Sequence, residues 1–215
     1  MNTLFCRSGI PLFLTALVCA IIVYGFELTH FTLSIDEEFS NNYLQTIALG
    51  RWGHALLRLF IFPEPYAPWF TTLCALLFAS AAAVVMAKVL QFSAHISLCF
   101  VALFIALPQF AYQLQFSNQA DTVGLGFLSA ALSVYYFKRA TPLYGLSIIT
   151  YVFAISIYQS LAFLPISLIL LCVIKENIEG KNNKQSLLTL AGFAAISVLS
   201  VIAYELILLS FQHYY

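Results

Sequence analysis

The chain has 215 residues, of which 62% are hydrophobic and only 8% are charged, and its mean hydropathy is +0.92. A soluble domain carries about 25% charged residues, so this composition excludes a soluble globular protein and requires lipid to cover much of the surface. The formal net charge is zero, which excludes a general electrostatic attraction to nucleic acid.

The first apolar run, residues 11–26, follows Arg7 near the N-terminus. A signal peptide ends in a small-x-small cleavage site, and the residues after this run, Tyr24-Gly25-Phe26-Glu27, lack that pattern. We therefore interpret the run as a retained first transmembrane helix.

Further apolar runs follow along the whole chain, and a spanning helix needs about 20 mostly apolar residues. Together the runs predict an all-α integral membrane protein with about seven transmembrane helices, which form a single transmembrane domain over residues 1–215. The predicted helices cover residues 10–28, 69–87, 91–108, 122–137, 143–158, 160–174 and 187–211.

The positions of the charges agree with this count, because cytoplasmic loops collect Lys and Arg. With the N-terminus inside and seven crossings, only Arg51 and Arg58 fall outside. Both belong to a long first outer loop, residues 27–68, and a second outer loop covers residues 108–121. The cations that fall inside are Arg7, Lys88, Lys138, Arg139, Lys175, Lys181 and Lys184.

The segment 143–174 is long enough for one tilted helix or for a short helical hairpin. Cations flank it on both sides, which requires an even number of crossings. A hairpin that turns at Tyr158-Gln159-Ser160 satisfies this requirement, and Pro165 suits the opening part of the returning helix.

Acidic residues gather in the first outer loop. Residues 34–37 read Ser-Ile-Asp-Glu, which matches a capping box, and an amphipathic helix is predicted from about residue 35 to 49, with Gly50 as its stop. Asp36, Glu37 and Glu38 compensate the helix dipole in one interpretation. In the other, a carboxylate at the membrane surface takes a proton from an acceptor hydroxyl.

A second amphipathic segment follows, in which Arg51, His54 and Arg58 at i, i+3 and i+7 share one helical face. The opposite face is apolar, and we expect both loop helices to lie flat at the membrane interface. The two guanidinium groups suit a lipid phosphate, although long outer loops also tolerate cations. The residues of the apolar face are Trp52, Leu56, Leu59 and Phe60.

His54 is predicted to be structural or a hydrogen-bond donor, because no His or Cys is placed to complete a metal site with it. We therefore predict no metal site. Asp121 begins a helix and is predicted mainly as a cap. Tyr158 and Gln159 are candidate interfacial anchors. Glu205 lies inside an apolar run, where an acid is usually functional or paired.

These motifs resemble the Gtr-type serotype-converting O-antigen glucosyltransferases. The resemblance rests on the acidic segment 34–38, on Gly50-Arg51-Trp52, on the second outer loop and on the turn at 158–160. It covers residues 20–175, and the architecture is similar to that of the wider class C glycosyltransferases, which span the membrane many times and use polyprenyl-phosphate sugars.

The resemblance implies transfer of glucose, or another hexose, from undecaprenyl-phosphate-glucose to a sugar hydroxyl of the lipid-linked O-antigen of lipopolysaccharide. The site would face the periplasm of a bacterial inner membrane, with the N-terminus in the cytoplasm. No cofactor and no nucleic acid is implied; the expected functional partners are a donor synthase and a flippase, besides membrane lipids.

In that class an acidic residue of the first outer loop is the catalytic candidate, which here is Asp36, with Glu37 next. Family members are generally longer, so the chain is either a short member or a fragment truncated at the C-terminus. The candidate substrate-binding residues are Glu38, Arg51, Trp52, His54, Arg58, Asn118, Asp121, Tyr158 and Gln159.

Two other functions stay open at this point. A transporter or lipid-carrier flippase would place polar residues within its helices and would show repeated halves. A noncatalytic membrane scaffold would not depend on Asp36. The acids gather in an outer loop instead of within the helices, which favours chemistry at the membrane surface.

Overall fold

The computed structural model describes residues 3–30, 43–62, 67–180 and 183–214, and within these ranges the chain is helical without any strand. The all-α class is therefore confirmed. The helices are α1 (Thr3–Thr29), α2 (Tyr43–Ala48), α3 (Trp52–Phe60), α4 (Pro68–Leu90), α5 (Ala94–Ile105), α6 (Gln109–Leu114), α7 (Ala120–Phe137), α8 (Tyr144–Ile157), α9 (Phe163–Ile178) and α10 (Asn183–Tyr214).

Five helical segments of the described chain are long and apolar enough to cross a membrane. The other two apolar helices, α5 with 12 residues and α8 with 14, are about 18 and 21 Å long at 1.5 Å per residue. Both are shorter than a hydrocarbon core of about 30 Å. A multi-pass membrane protein is supported, while the count of seven spans is not. The five segments are Gly9–Thr29, Pro68–Leu90, Ala120–Phe137, Gln159–Ile178 and Asn183–Gln212.

The bundle is built around α4, which packs against α1, α5, α7 and α9. Its contact with α7 is the closest, because a Cβ atom on Gly124 would lie only 2.8 Å from the Cα of Ala75. Small residues let helix backbones approach in this way. The N-terminal halves of α4 and α7 are thereby held side by side.

The two ends of the bundle carry different residues. At one end, which we call the lysine end, Lys88 lies beside Gly9 and Lys138 pairs with Glu176 at 2.7 Å. The opposite end, which we call the loop end, contains residues 43–62, residues 118–122 and the turn at 158–160. Residues predicted for the two sides of the membrane thus separate to opposite ends; which end faces the cytoplasm stays a prediction.

The predicted break in the segment 143–174 is confirmed. Helix α8 ends at Ile157, a short 3-10 helix covers Gln159–Ala162, and α9 follows with Pro165 in its first turn. The hydroxyl of Tyr151 donates to the carbonyl of Ala162 at 2.8 Å, which ties the turn to α8. Both α8 and α9 have their other ends at the lysine end.

The first loop differs from the expectation in part. Residues 35–42 of its predicted first helix lie outside the described residues; the part that follows is α2, and Gly50 ends it with a φ of +81°. The flat interfacial position of α3 is not confirmed. Trp52 is buried against α10 and Leu57 lies in the core, while Leu59 and Phe60 stay exposed.

Gly53 explains why α3 enters the bundle. A Cβ atom at this position would collide with Oγ of Ser156 and would lie 2.9 Å from the Cβ of the same serine. Because glycine has no side chain, the backbone of α3 rests directly on α8. This contact turns the opposite, cationic side of α3 toward α7.

Candidate functional site

The polar side of α3 lies against the first turn of α7 and the residues before it. Three pairs define this α3–α7 contact, and each joins positions more than 60 residues apart in the chain. They are Arg51 with Gln119, His54 with Thr122, and Arg58 with Asp121. The face predicted from the i, i+3, i+7 spacing therefore exists as one continuous row of contacts.

The pair of Arg58 and Asp121 is the most deeply buried part of the contact. Nη2 of Arg58 lies 2.6 Å from Oδ1 of Asp121, and the two side chains are 10% and 0% exposed. Arg58 also donates to the carbonyl of Asn118. Oδ1 of Asp121 accepts the backbone N–H of Thr122 at 2.7 Å as well. Asp121 is therefore a counterion in the first turn of α7. The cap position is held by Gln119, without a side-chain cap bond, so the predicted capping role of Asp121 is wrong.

His54 lies between the two arginines. Its Nδ1 is 2.8 Å from Oγ1 of Thr122. Burial lowers the pKa of His54 to about 3, with further lowering by the positive charges of Arg58 and Arg51. The imidazole is therefore uncharged at neutral pH. A charged ring would place a third positive charge between the two guanidinium groups.

Arg51 is held differently from Arg58. Its guanidinium carbon stands 4.4 Å from the centre of the Tyr158 ring, and Nη1 donates a long bond of 3.4 Å to Oε1 of Gln119. Its Nε is buried without a hydrogen-bond partner among the described residues. No carboxylate in the described part of the chain pairs with Arg51, so its positive charge is not neutralised there.

The turn at Gly50 fixes where α3 begins. Nε2 of Gln159 donates to the carbonyl of Leu49 at 2.6 Å, and the hydroxyl of Tyr204 donates to the carbonyl of Gly50 at 2.9 Å. Trp52, the next-but-one residue, stacks on the Tyr204 ring with centroids 6.4 Å apart. The 3-10 helix before α9 and helix α10 therefore hold the start of α3.

The structure brings together all the candidate residues that it describes. Asp36, Glu37 and Glu38 lie outside the described residues, so their placement is not tested. The others meet at the loop end, and their roles in substrate binding stay predictions. These residues are Arg51, Trp52, His54, Arg58, Asn118, Asp121, Tyr158 and Gln159.

The sequence analysis missed three residues that hold this region, Gln119, Thr122 and Tyr204. Tyr204 lies in an apolar run beside Glu205, and only the acid was predicted to be functional or paired. The side chain of Glu205 is exposed on the surface of α10, whereas Tyr204 is buried and bonded to the Gly50 turn. The sequence did contain a signal for Tyr204, because the hydroxyl of a tyrosine in a transmembrane run needs a hydrogen-bond partner when it is buried.

Comparison with known proteins shows the family of the chain. A family model described as "Glucosyl transferase GtrII" matches residues 25–215. No curated protein and no solved structure matches the chain. The matched range contains the whole loop end and every helix from the end of α1 onward, and it confirms the resemblance drawn from the short motifs. The chain belongs to the GtrII glucosyl transferase family.

Proposed function

We propose that the chain transfers glucose from a polyprenyl-phosphate donor to a sugar hydroxyl of O-antigen, at the periplasmic face of a bacterial inner membrane. Family membership supports the glucosyl transfer. The donor is undecaprenyl-phosphate-glucose, which a separate synthase makes and a flippase delivers. The acceptor is lipid-linked O-antigen.

The observation that carries this proposal is that two arginines of one helical face differ in their partners. Arg58 is neutralised by Asp121 at 2.6 Å, whereas Arg51 has the Tyr158 ring and a long bond to Gln119. Arg51 thus keeps its charge and most of its donors for another group. A guanidinium is suited to the oxygens of a phosphate, and a lipid donor presents its phosphate at the height of the headgroups.

The reaction breaks the bond between C1 of glucose and the phosphate oxygen, and it forms a bond between C1 and the acceptor oxygen. The lipid phosphate leaves with the bonding electron pair, so it needs stabilisation of charge, which Arg51 supplies. The acceptor hydroxyl loses a proton, and Asp36, with Glu37 beside it, is the proposed base. The remaining candidates bind and orient the two substrates. They are Glu38, Trp52, His54, Arg58, Asn118, Asp121, Tyr158 and Gln159.

The test uses a host that displays O-antigen and contains the donor synthase and the flippase. Glucose on lipopolysaccharide is scored by mass, and membrane abundance of the chain is measured beside it. Asp36→Asn and Arg51→Gln are compared with Lys138→Gln, a cation change at the lysine end. We expect a loss of about 100-fold or more in transfer for the first two and parental transfer for the third.

Each contrary result removes a definite part of the proposal. Parental glucose with Asp36→Asn means that this residue is a helix cap and that the base lies elsewhere. Parental transfer with Arg51→Gln removes the phosphate role of Arg51. If the unchanged chain adds no glucose in this host, the proposed transfer is wrong.

A further inference from the structure

The proton on His54 can be located from its neighbours. A carbonyl oxygen only accepts, so the contacts of the Thr122 hydroxyl with His54 and with the carbonyl of Gln119, 2.9 Å away, are both hydrogen bonds only if the hydroxyl gives its single proton to the carbonyl. The same hydroxyl can then only accept from Nδ1 of His54 at 2.8 Å. Nδ1 therefore carries the proton, and Nε2 of an uncharged ring is left with a free lone pair.

The two charged groups that lower the pKa of this ring, Arg58 and Arg51, are both donors. On α3, Arg51 and Arg58 flank the ring, and a guanidinium has no acceptor atom. On α7, Thr122 is bonded to the ring itself, and Oδ1 of Asp121 is bonded to Arg58, while Oδ2 of Asp121 has no hydrogen-bond partner among the described residues. Nε2 of His54 is thus an acceptor in a row of positive donors.

We infer that Nε2 of His54 accepts a hydrogen bond from a hydroxyl of the sugar that is presented at the loop end. An ionised phosphate has no proton to donate, so it binds the guanidinium of Arg51 and not this nitrogen. A sugar hydroxyl donates, so it binds Nε2. A sugar phosphate is the ligand class that satisfies both. The identity of the sugar rests on the proposed function; the position of the proton does not.

His54 is in this account a substrate-binding residue and not a base. With a pKa of about 3, the ring would not keep a proton taken from the acceptor at neutral pH. Its contribution is to orient the sugar relative to Arg51, which lies three residues before it on the same helical face.

The first test is nitrogen NMR on the full chain in lipid nanodiscs with ¹⁵N-labelled histidine. His54→Asn assigns the signal among His30, His54, His95 and His213. We expect a protonated Nδ1 and an unprotonated Nε2 at pH 7. A short-chain prenyl-phosphate-glucose should shift the Nε2 signal, and the same prenyl phosphate without sugar should not.

A proton on Nε2, a charged ring at pH 7, or equal shifts with both ligands would overturn the inference. This measurement needs no turnover. It therefore separates a failure of the inference from a failure of the proposed transferase activity.

The second test compares two substitutions of the same residue. Asparagine places an amide where Nδ1 was and can keep the bond to Thr122, but it has nothing at the position of Nε2. Glutamine reaches the position of Nε2. We expect His54→Asn to raise the KM for the donor about tenfold at parental abundance, as loss of one hydrogen bond implies, and His54→Gln to stay closer to the parent. Equal KM values in the parent and in both variants would overturn the inference.

Discussion

Polar contacts hold the two ends of the bundle in different ways. At the loop end, the contacts that join α2, α3, α7, the 158–160 turn and α10 link residues 45 to 154 positions apart, and the central ion pair is almost fully buried. At the lysine end, Lys138 and Glu176 are 19% and 17% exposed. A second pair there, Lys175 with Glu179, lies within one helix.

This difference separates an ion pair that is almost fully buried from a pair that water partly reaches. A buried ion pair is costly to break, about 3–5 kcal/mol when one partner is removed, whereas an exposed pair contributes about 0–1 kcal/mol. The loop end therefore has a defined geometry that depends on each partner. We expect the lysine end to tolerate change better, because water partly reaches both side chains of its pair.

The largest effect is expected for Arg58→Met. This change leaves the carboxylate of Asp121, which is 0% exposed, without its cation, and we expect the free energy of unfolding to fall by about 3–5 kcal/mol. Thermal unfolding in detergent measures it. The double variant Arg58→Met with Asp121→Leu should regain most of the loss, and a stable single variant would contradict the assignment of a buried charge pair.

A smaller effect is expected for Gly53→Ala, which pushes α3 away from Ser156. Overpacking of this kind costs about 1–3 kcal/mol, and adding Ser156→Gly should recover part of it by removing the opposing atoms. Gly145→Ala on α8 is the control, since a Cβ atom there meets nothing within 4 Å. Equal stability of the Gly53 and Gly145 variants would mean that α3 does not rest on α8.

The pH dependence of stability tests His54. Its pKa is about 3 in the folded chain and about 6.5 when unfolded. Between these values the unfolded chain binds a proton that the folded chain does not bind. Lowering the pH from 7 to 5 should therefore reduce the free energy of unfolding by about 2 kcal/mol through this group. Measuring the free energy of unfolding of the parent and of His54→Gln at both pH values isolates the contribution of His54. An identical change with pH in both proteins would show that the ring is not held uncharged.

The smallest effect is expected at the lysine end. Glu176→Gln removes the charge that faces Lys138, and because both side chains are partly exposed, we expect a change below about 1 kcal/mol. The measurement is the same thermal unfolding. A loss as large as that of Arg58→Met would abolish the distinction between the two ends.

The sequence predicted the helices well because lipid demands long apolar runs, and such runs are visible locally. The predicted span 69–87 became Pro68–Leu90, and 122–137 became Ala120–Phe137. The reversal at 158–160 followed from the charges on either side of the segment. These are properties of short stretches of chain, which need no knowledge of a distant partner.

The position of α3 was beyond such reasoning. Its apolar face suits lipid and a protein surface equally well, and what decides between them is the fit of Gly53 on Ser156, 103 residues away along the chain. The same applies to Asp121. Its place in the first turn of a helix was visible in the sequence, whereas its pairing with Arg58 depends on how two loops are brought together by α4, α7 and α8.

The Gly50 turn has a consequence for how the protein is made. The side chains that hold it, Gln159 and Tyr204, follow Leu49 by 110 residues and Gly50 by 154 residues. At a synthesis rate of about 5–20 residues per second, the last of these arrives about 8–30 s after the turn itself. Until then the carbonyl of Gly50 lacks its hydroxyl partner and α3 lacks its support from α10. The loop end is therefore completed only when α10 has been made, although residues 43–62 of this end are made early.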